Sequence, residues 1–492
     1  MPLSNDYKEL PESPKSMNES THLKNFLELP YSKLEELNLE ARKKRNTLGP
    51  KELEELYRKL LKNEKQIKAV TVFFSDIEGR FHALDYDKKF LLEAADNLTF
   101  DGSSIRGFTS QNESDLRFDI DWTSFIWLPS DIFGAGKVGM FANILSRDKE
   151  QFSSDFRGLL QQYTRELFLK QKLIANIAPE IEGFLLRGVH AEQHFNEIDG
   201  FSLISSGGYF HSLSADHLRK FIDATAEALN AMGFINEKDH PEVAPSQFEL
   251  NFSYDEALRA ADKIQLYKLA ARQVAFRMGM TASFLPKPIV GINGTGMHLN
   301  FSLSKAGENI FYDQKGQDGI SKLAWDAISR LLNHAGEICL VLNSSVNSYR
   351  RLDPHFEAPN QIKVSANDRG SMIRIPTANK RSARIEVRAV APDANPYLAI
   401  LAIIRTALEG TKIPSRKFPE SKYLPSHINE AIGLFNNSTF ISKILGDSIK
   451  EKYAKFKQGT ADRCPKELGK RVKNPEILYH HEVTNQVLWN AF

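Results

Sequence analysis

A chain of 492 residues exceeds what one compact core organises and predicts two or three domains. Its 41% hydrophobic, 26% charged and 10% aromatic content is that of a soluble globular protein, and a net charge of +2 from 64 basic and 62 acidic residues argues against an electrostatic nucleic-acid binder. Two cysteines, Cys339 and Cys464, are too few for a disulfide framework or a cysteine-rich zinc site and point to a reducing compartment.

The opening MPLSNDYKEL lacks the charged-then-apolar layout of a signal peptide. Residues 1–66 are highly charged and poor in β-branched side chains. Within them Leu53, Leu56, Leu60 and Leu61 recur at helical spacing after Pro50, which suits a first helical turn. This periodicity favours a solvated helical extension packed on a neighbour over a regulatory role. From Ala69, AVTVFFSD and GRFHALDYD read as two strands joined by a turn at Glu78-Gly79. A short helix near 88–96 and the strands FIWLP and VGMFANIL complete a small mixed domain over 67–147. A larger α+β domain over 148–492 follows, with helical patterns at 151–171, 214–232, 255–278, 318–340 and 394–410 and a mainly helical remainder. The most apolar window, YLAILAIIRTAL at 397–408, is too short for a bilayer span and carries Arg405, so the chain reads as cytoplasmic.

Four strand-like segments of the larger domain share one oddity. In IANIAPEIEGFLL (174–186), Glu180 and Glu182 fall on the same face, because side chains alternate along a strand. In HPEVAPSQFELNF (240–252), Gln247, Glu249 and Asn251 share a face, and Pro245 breaks the segment that carries Glu242. His298, Asn300 and Ser302 align in NGTGMHLNFSL, opposite Met297, Leu299, Phe301 and Leu303. Arg384, Glu386 and Arg388 align in SARIEVRAV, opposite Ile385, Val387 and Ala389. A polar strand face ordinarily meets water. These faces, however, present five glutamates, one histidine and two arginines with almost no lysine, so the carboxylates require a cation from elsewhere. Oxygen donors plus one imidazole suit Mg²⁺ or Mn²⁺, and six donors exceed one site, so two or more ions are expected. Several divalent ions with arginines alongside are the parts of a phosphoryl-transfer site.

The chain resembles glutamine synthetase of the type I class from about residue 69 to near its C-terminus. The matching stretches are FDGSSIRGF with ESD at 113–115, APEIEGFLL, GGYF, PEVAPSQFEL, FLPKP, NGTGMH, NSYRRL, EAP, IRIP, and ARIEVR followed by PDANPYLA. The resemblance implies a small N-terminal β-grasp domain and a larger catalytic domain whose antiparallel sheet carries the metal site, flanked by helices. It also implies a homo-oligomeric double ring, usually a dodecamer, with active sites at subunit boundaries. Carried over residue by residue, Glu182, Glu242 and Glu249 match the ligands of one metal, and Glu180, His298 and Glu386 those of a second. Asn293, Gly294, Arg351, Glu357 and Arg388 match the glutamate contacts, and Glu237, Tyr254, Asn300, Ser302, Arg374 and Arg381 the ATP contacts. Arg369 matches the arginine beside the migrating phosphate. Asp101 and Ser104, supplied by a neighbouring small domain, match the ammonium pocket with Tyr209 and Glu357 nearby. RRLDPHFEAP matches the closing flap.

The implied reaction is ATP-dependent ligation of ammonia to the glutamate side chain through a γ-glutamyl phosphate, with Asp101, Glu357 and Arg369 as catalytic residues. The chain departs from the family pattern at SANDRGS, where Asn367 and Asp368 precede Arg369, and at His355, Ser206 and Pro241. The surroundings of Tyr423 do not match the loop that some members adenylylate. Two rivals stand beside the synthetase: a γ-glutamyl amine ligase acting on larger amines, and a catalytically silent assembly protein.

Overall fold

The computed structural model describes residues 26–110, 114–193, 200–212, 214–352, 358–413 and 422–462. Strands β1 (Ala69–Ser75), β2 (Phe81–Asp87), β3 (Thr99–Asp101), β4 (Asp115–Ile120), β5 (Ile126–Trp127) and β6 (Lys137–Leu145) form one mixed sheet in the order β2-β1-β6-β4-β3, with β5 added to β6. The turn at Glu78-Gly79 forms as expected, with Gly79 at φ 89°, where a Cβ would be strained. Every residue of AVTVFFS is buried, so β1 runs through the interior of this small domain, between β2 and the central strand β6.

The second sheet belongs to the larger domain. Its strands are β7 (Leu173–Arg187), β8 (Asn236–Pro241), β9 (Gln247–Phe252), β10 (Asp255–Glu256), β11 (Met280–Ser283), β12 (Met297–Lys305), β13 (Glu308–Asn309), β14 (Gln361–Ser365), β15 (Ser371–Arg374) and β16 (Ile385–Val387). The main order is β14-β15-β16-β12-β7-β9-β8, antiparallel apart from the parallel β14–β15 pair at one edge. The expected α+β architecture, a small β-grasp domain before a larger antiparallel one, is what forms. Along β7, Leu173, Ala175, Ile177 and Ile181 are buried with the helices Ala257–Arg277 and Pro396–Glu409 in the main core. The opposite face of the sheet is thereby left to Glu180 and Glu182. Gly183 serves close approach: a Cβ there would lie 2.5 Å from the Phe248 ring of β9.

Helices α1 (Tyr31–Thr47) and α2 (Pro50–Asn63) make up the described part of the extension. Leu34, Leu53, Tyr57 and Leu61 join the small-domain core. Asn38 of α1 donates to the carbonyls of Trp127 and Ala231, tying α1 to both domains. The expected helix at 318–340 divides into Lys322–Asn333 and Ala335–Leu342, with His334 at the junction.

One buried guanidinium joins the two domains. Arg157 donates to Asp262 at 2.9 and 3.0 Å, to Asp121 at 2.7 Å and to Asn143 at 2.7 Å, and is 1% exposed. Arg157→Met leaves two buried carboxylates without their main partner and is expected to cost about 3–5 kcal/mol. A lowered denaturant midpoint checks this; an unchanged one refutes it.

Candidate active site

The sheet order places the four polar-faced strands side by side. Register then sets the pairs: Glu180 lies opposite His298, Glu182 opposite Glu249, and Asn300 opposite Glu386. In an antiparallel pair such partners have Cβ atoms about 4.5–5.5 Å apart, so side chains on the shared face converge. Two groups of donors result, each with ligand atoms within 4.8 Å of one another. One is Glu180, His298 and Glu386; the other is His240, Glu242 and Glu249.

The first group holds the expected second-metal residues. Nδ1 of His298 is buried and has no hydrogen-bond partner, yet it lies 3.7 Å from Glu180 Oε2 and 3.5 Å from Glu386 Oε1. An unpartnered imidazole nitrogen between two carboxylates, each too far for a hydrogen bond, fits a shared cation. Burial works to raise the Glu180 carboxyl, but His298 and the Asn300 amide hold it down at about 2.

The second group differs from the expected trio. Glu182 sits between the groups: Oε1 is 4.0 Å from His298 Nε2, while Oε2 accepts from Gly296 N at 2.8 Å and Gln247 Nε2 at 3.3 Å. His240 joins Glu242 and Glu249 instead, with Nδ1 3.5 Å from Glu242 Oε1 and Nε2 4.0 Å from Glu249 Oε1. Sequence reasoning missed His240, although its place two residues before Glu242 was a usable signal. Burial, then the charges of Glu182 and Glu249, push Glu242 up to about 9. Glu182 is raised as well, by burial above all. Metal-free, this cluster strongly disfavours full ionisation, which is the property expected of a cation-binding set.

Two guanidinium donors open beside the cluster. Arg351 Nη1 and Arg388 Nε are buried without partners, while Arg351 Nη2 donates to the Arg388 carbonyl at 2.9 Å. Gly296 makes room for this packing, since a Cβ there would lie 2.5 Å from Arg351 Nη2. Asn293 and Gly294 precede β12, and the Gly294 carbonyl accepts from Gln247 at 2.9 Å. Paired arginines with free donors suit a substrate carboxylate.

On the other side lies a cavity of about 970 Å³ whose walls include Glu180, Glu237, Tyr254, Asn300, Ser302 and Arg381. Five of the expected ATP contacts therefore share one cavity with a metal-ligand candidate. Arg384 orients Asn300 through a 2.9 Å bond to Oδ1. Arg374 does not line the cavity but donates to Glu386 Oε2 at 2.8 Å. Arg369 is exposed in the connection between β14 and β15. The Asp368 departure beside it is compensated in place: Lys363 binds its carboxylate at 2.6 Å and the Gly370 amide at 2.8 Å.

The expected ammonium pocket is not assembled within the described chain. Asp101 is exposed at the end of β3, and its carboxylate accepts from Ser103 and Ser104, which hold it below the usual range. None of its contacts among the described residues reaches the cluster. Tyr209 stands apart from Asp101 in the same sense: its ring meets His240 edge-on at 5.4 Å and so borders the cluster. Glu357 and His355 of the flap, Glu113 and Cys464 lie outside the described residues.

Comparison with known proteins adds the decisive finding. "Glutamine synthetase, beta-Grasp domain" matches residues 66–146, and "Glutamine synthetase, catalytic domain" matches residues 153–470. The chain belongs to the glutamine synthetase family. Among glutamine synthetase relatives, that of Pyrococcus woesei is 35% identical over 407 residues, covering 79% of this chain and 89% of its own. That of Clostridium saccharobutylicum is 34% identical over 424 residues, covering 82% and 94%. A solved GmaS/ADP complex shares the fold with a TM-score of 0.72 at 25% identity, covering 85% of this chain and 97% of its own. The protein is thus a glutamine synthetase-family ligase, a class that uses ATP and divalent metals, and its described residues include no helix long and apolar enough to cross a membrane.

Proposed function

We propose that the protein ligates ammonia to the side-chain carboxylate of L-glutamate, forming glutamine, ADP and phosphate by way of γ-glutamyl phosphate. The observation that carries this reading is the convergence of six acidic and imidazole ligands between two unpartnered guanidinium donors and a nucleotide-sized cavity. Arg351 and Arg388, with Asn293, Gly294 and Glu357, hold glutamate. Glu237, Tyr254, Asn300, Ser302, Arg374 and Arg381 hold ATP. Glu180, His298 and Glu386, with Glu182, Glu242 and Glu249, would hold Mg²⁺ or Mn²⁺, which when bound neutralise charge on the phosphates. His240 joins the latter set.

In the first step a glutamate oxygen attacks the γ-phosphorus and the bond to ADP breaks, while Arg369 balances charge on the transferring group. The acyl phosphate has a far better leaving group than hydroxide. Asp101, ionised because Ser103 and Ser104 stabilise its charge, takes a proton from ammonium; the amine then displaces phosphate. Glu357 and the flap keep water from the intermediate. Since Asp101 does not reach its own chain's cluster, this reading goes with a ring in which a neighbouring subunit supplies it.

Likeness to GmaS supports a second reading, ligation of a larger amine to glutamate on the same scaffold. A coupled ADP-release assay with glutamate and either ammonium or a panel of alkylamines and polyamines separates the two. Release with ammonium alone is expected; release only with larger amines establishes the rival, and none at all a silent scaffold.

A further inference from the structure

A second cavity, of about 850 Å³, lies between α1, the segment Thr123–Ile126 of the small domain and the start of the helix Ala257–Arg277. We propose that it binds a small metabolite bearing an oxyanion group, carboxylate or phosphate, through Arg42 and Arg45 of α1, and that occupancy tunes nucleotide binding next door.

Three donors on its walls lack partners. Arg45 has no carboxylate within ion-pair distance among the described residues, and its Nε is buried without a hydrogen bond. Arg42 Nη1 is in the same position. The other arm of Arg42 is 3.9 Å from Asp255 Oδ2, an oxygen that Lys263 already binds at 2.6 Å. Ser253 Oγ, also buried and unpartnered, is the third. Buried donors nearly always find an acceptor, so three around one cavity define a ligand's polar end. Charge points the same way. Arg259 on the facing wall is committed to Asp121 and Asp262, each at 3.3 Å, Asp255 is bound by Lys263, and Glu256, the remaining acid on the wall, makes no ion pair with Arg45. Burial, with Arg259 adding repulsion, pushes Arg45 down to about 10 against the more distant pull of Asp255 and Asp121, so it stays charged at neutral pH. A guanidinium fork pairs with planar or tetrahedral oxyanions through two bonds. The volume lies within the usual range for small-molecule sites.

Position supplies the coupling. Asn176, Tyr254 and Ser304 line both this cavity and the nucleotide cavity. Tyr254 is 58% exposed, free to answer a ligand on either side. Both arginines precede residue 66, where the family match begins, while the other walls lie within the matched domains. The site does not depend on which amine is ligated.

The test uses the full chain. Crystals soaked in sodium selenate should give an anomalous selenium peak between Arg42 and Arg45, absent from Arg45→Met crystals. In solution, succinate or inorganic phosphate should raise the melting temperature beyond sodium chloride of equal ionic strength, and the stronger of the two identifies the group. That shift should vanish in Arg45→Met and partly survive in Arg45→Lys. The same anion should change ADP affinity about fivefold or more in the parent and not in Arg45→Met. Selenium only in the catalytic cleft or nowhere, or melting shifts equal in parent and Arg45→Met, overturns the proposal.

Discussion

Glu242→Gln is expected to lower ADP release by about 100-fold or more while making the chelator-treated protein more stable, not less. The activity loss follows from removing a cation ligand, since even loss of an outer partner to a metal ligand costs about 10–100-fold. The stability gain follows from repulsion. Burial and the charges of Glu182 and Glu249 hold the folded Glu242 carboxyl at about 9, above its ordinary 4.5. A carboxyl raised on folding binds more protons folded than unfolded between those values, so metal-free stability falls as pH rises from about 4.5 to 9. Glutamine has no charge to lose, so the variant's profile should be flatter and its advantage largest near pH 9, on the order of 1–3 kcal/mol. Glu180 works in the opposite sense: held at about 2, it contributes stability above 4.5 that is lost only as pH falls towards 2, outside this window. Saturating Mg²⁺ or Mn²⁺ should reverse the order, because binding to the folded state stabilises the parent more than a variant short of one ligand. Melting curves with chelator and with metal, across pH, check both signs. A variant that is active, or less stable in chelator at pH 8, would sink the cation-cluster reading.

The chemistry of this site was legible in the sequence because strand alternation fixes which side chains share a face. What alternation leaves open is which strands are neighbours. Nothing in APEIEGFLL or MHLNFSL states that β7 and β12 pair with Glu180 opposite His298; that register comes from the packed sheet. Glu242 illustrates the same limit. Its seven-residue step to Glu249 would put the two carboxylates on opposite faces of one straight strand, but the chain turns between β8 and β9, with Glu242 N bonded to Gln247 O at 2.8 Å and Ser246 at φ 62°. That turn is also what brings His240 round to the cluster, a consequence of three-dimensional bending that no periodicity encodes. Helix α1 was hidden for another reason. Its apolar positions are few, and one of its anchors is the polar Asn38, whose amide satisfies backbone groups of two domains. A hydrophobic pattern cannot reveal an anchor of that kind. Strand β14 at the edge and its neighbour β15 escaped likewise, since β14 (QIKVS) mixes polar and apolar residues on a partly exposed edge.

Mixing two dead chains should restore activity. Asp101→Ala and Glu242→Gln subunits, each inactive alone at limiting ammonium, are expected to complement when unfolded together and reassembled. The reason is geometric. The loop after Asp101 is tied to the last described helix of its own chain, Asp447–Asp462: Lys452 donates to the Phe108 carbonyl at 2.9 Å, and the Arg106 guanidinium lies 4.9 Å from the Phe456 ring centre. The Asp101 carboxylate stays at the surface and, among the described residues, is bound only by Ser103 and Ser104. On the proposed reading, the cluster that a residue fixed there serves belongs to another subunit. In a cyclic assembly with one such boundary per site, random mixing gives roughly a quarter of sites an intact Asp101 from one chain and an intact Glu242 from the other. Activity near that fraction of the parent supports a shared site. If Asp101 instead serves its own chain, every site carries one defect and the mixture stays as dead as its components. The Asp101→Ala ring alone offers a second readout, because without the anion that draws a proton from ammonium its ammonium KM should rise sharply while its ADP affinity stays put.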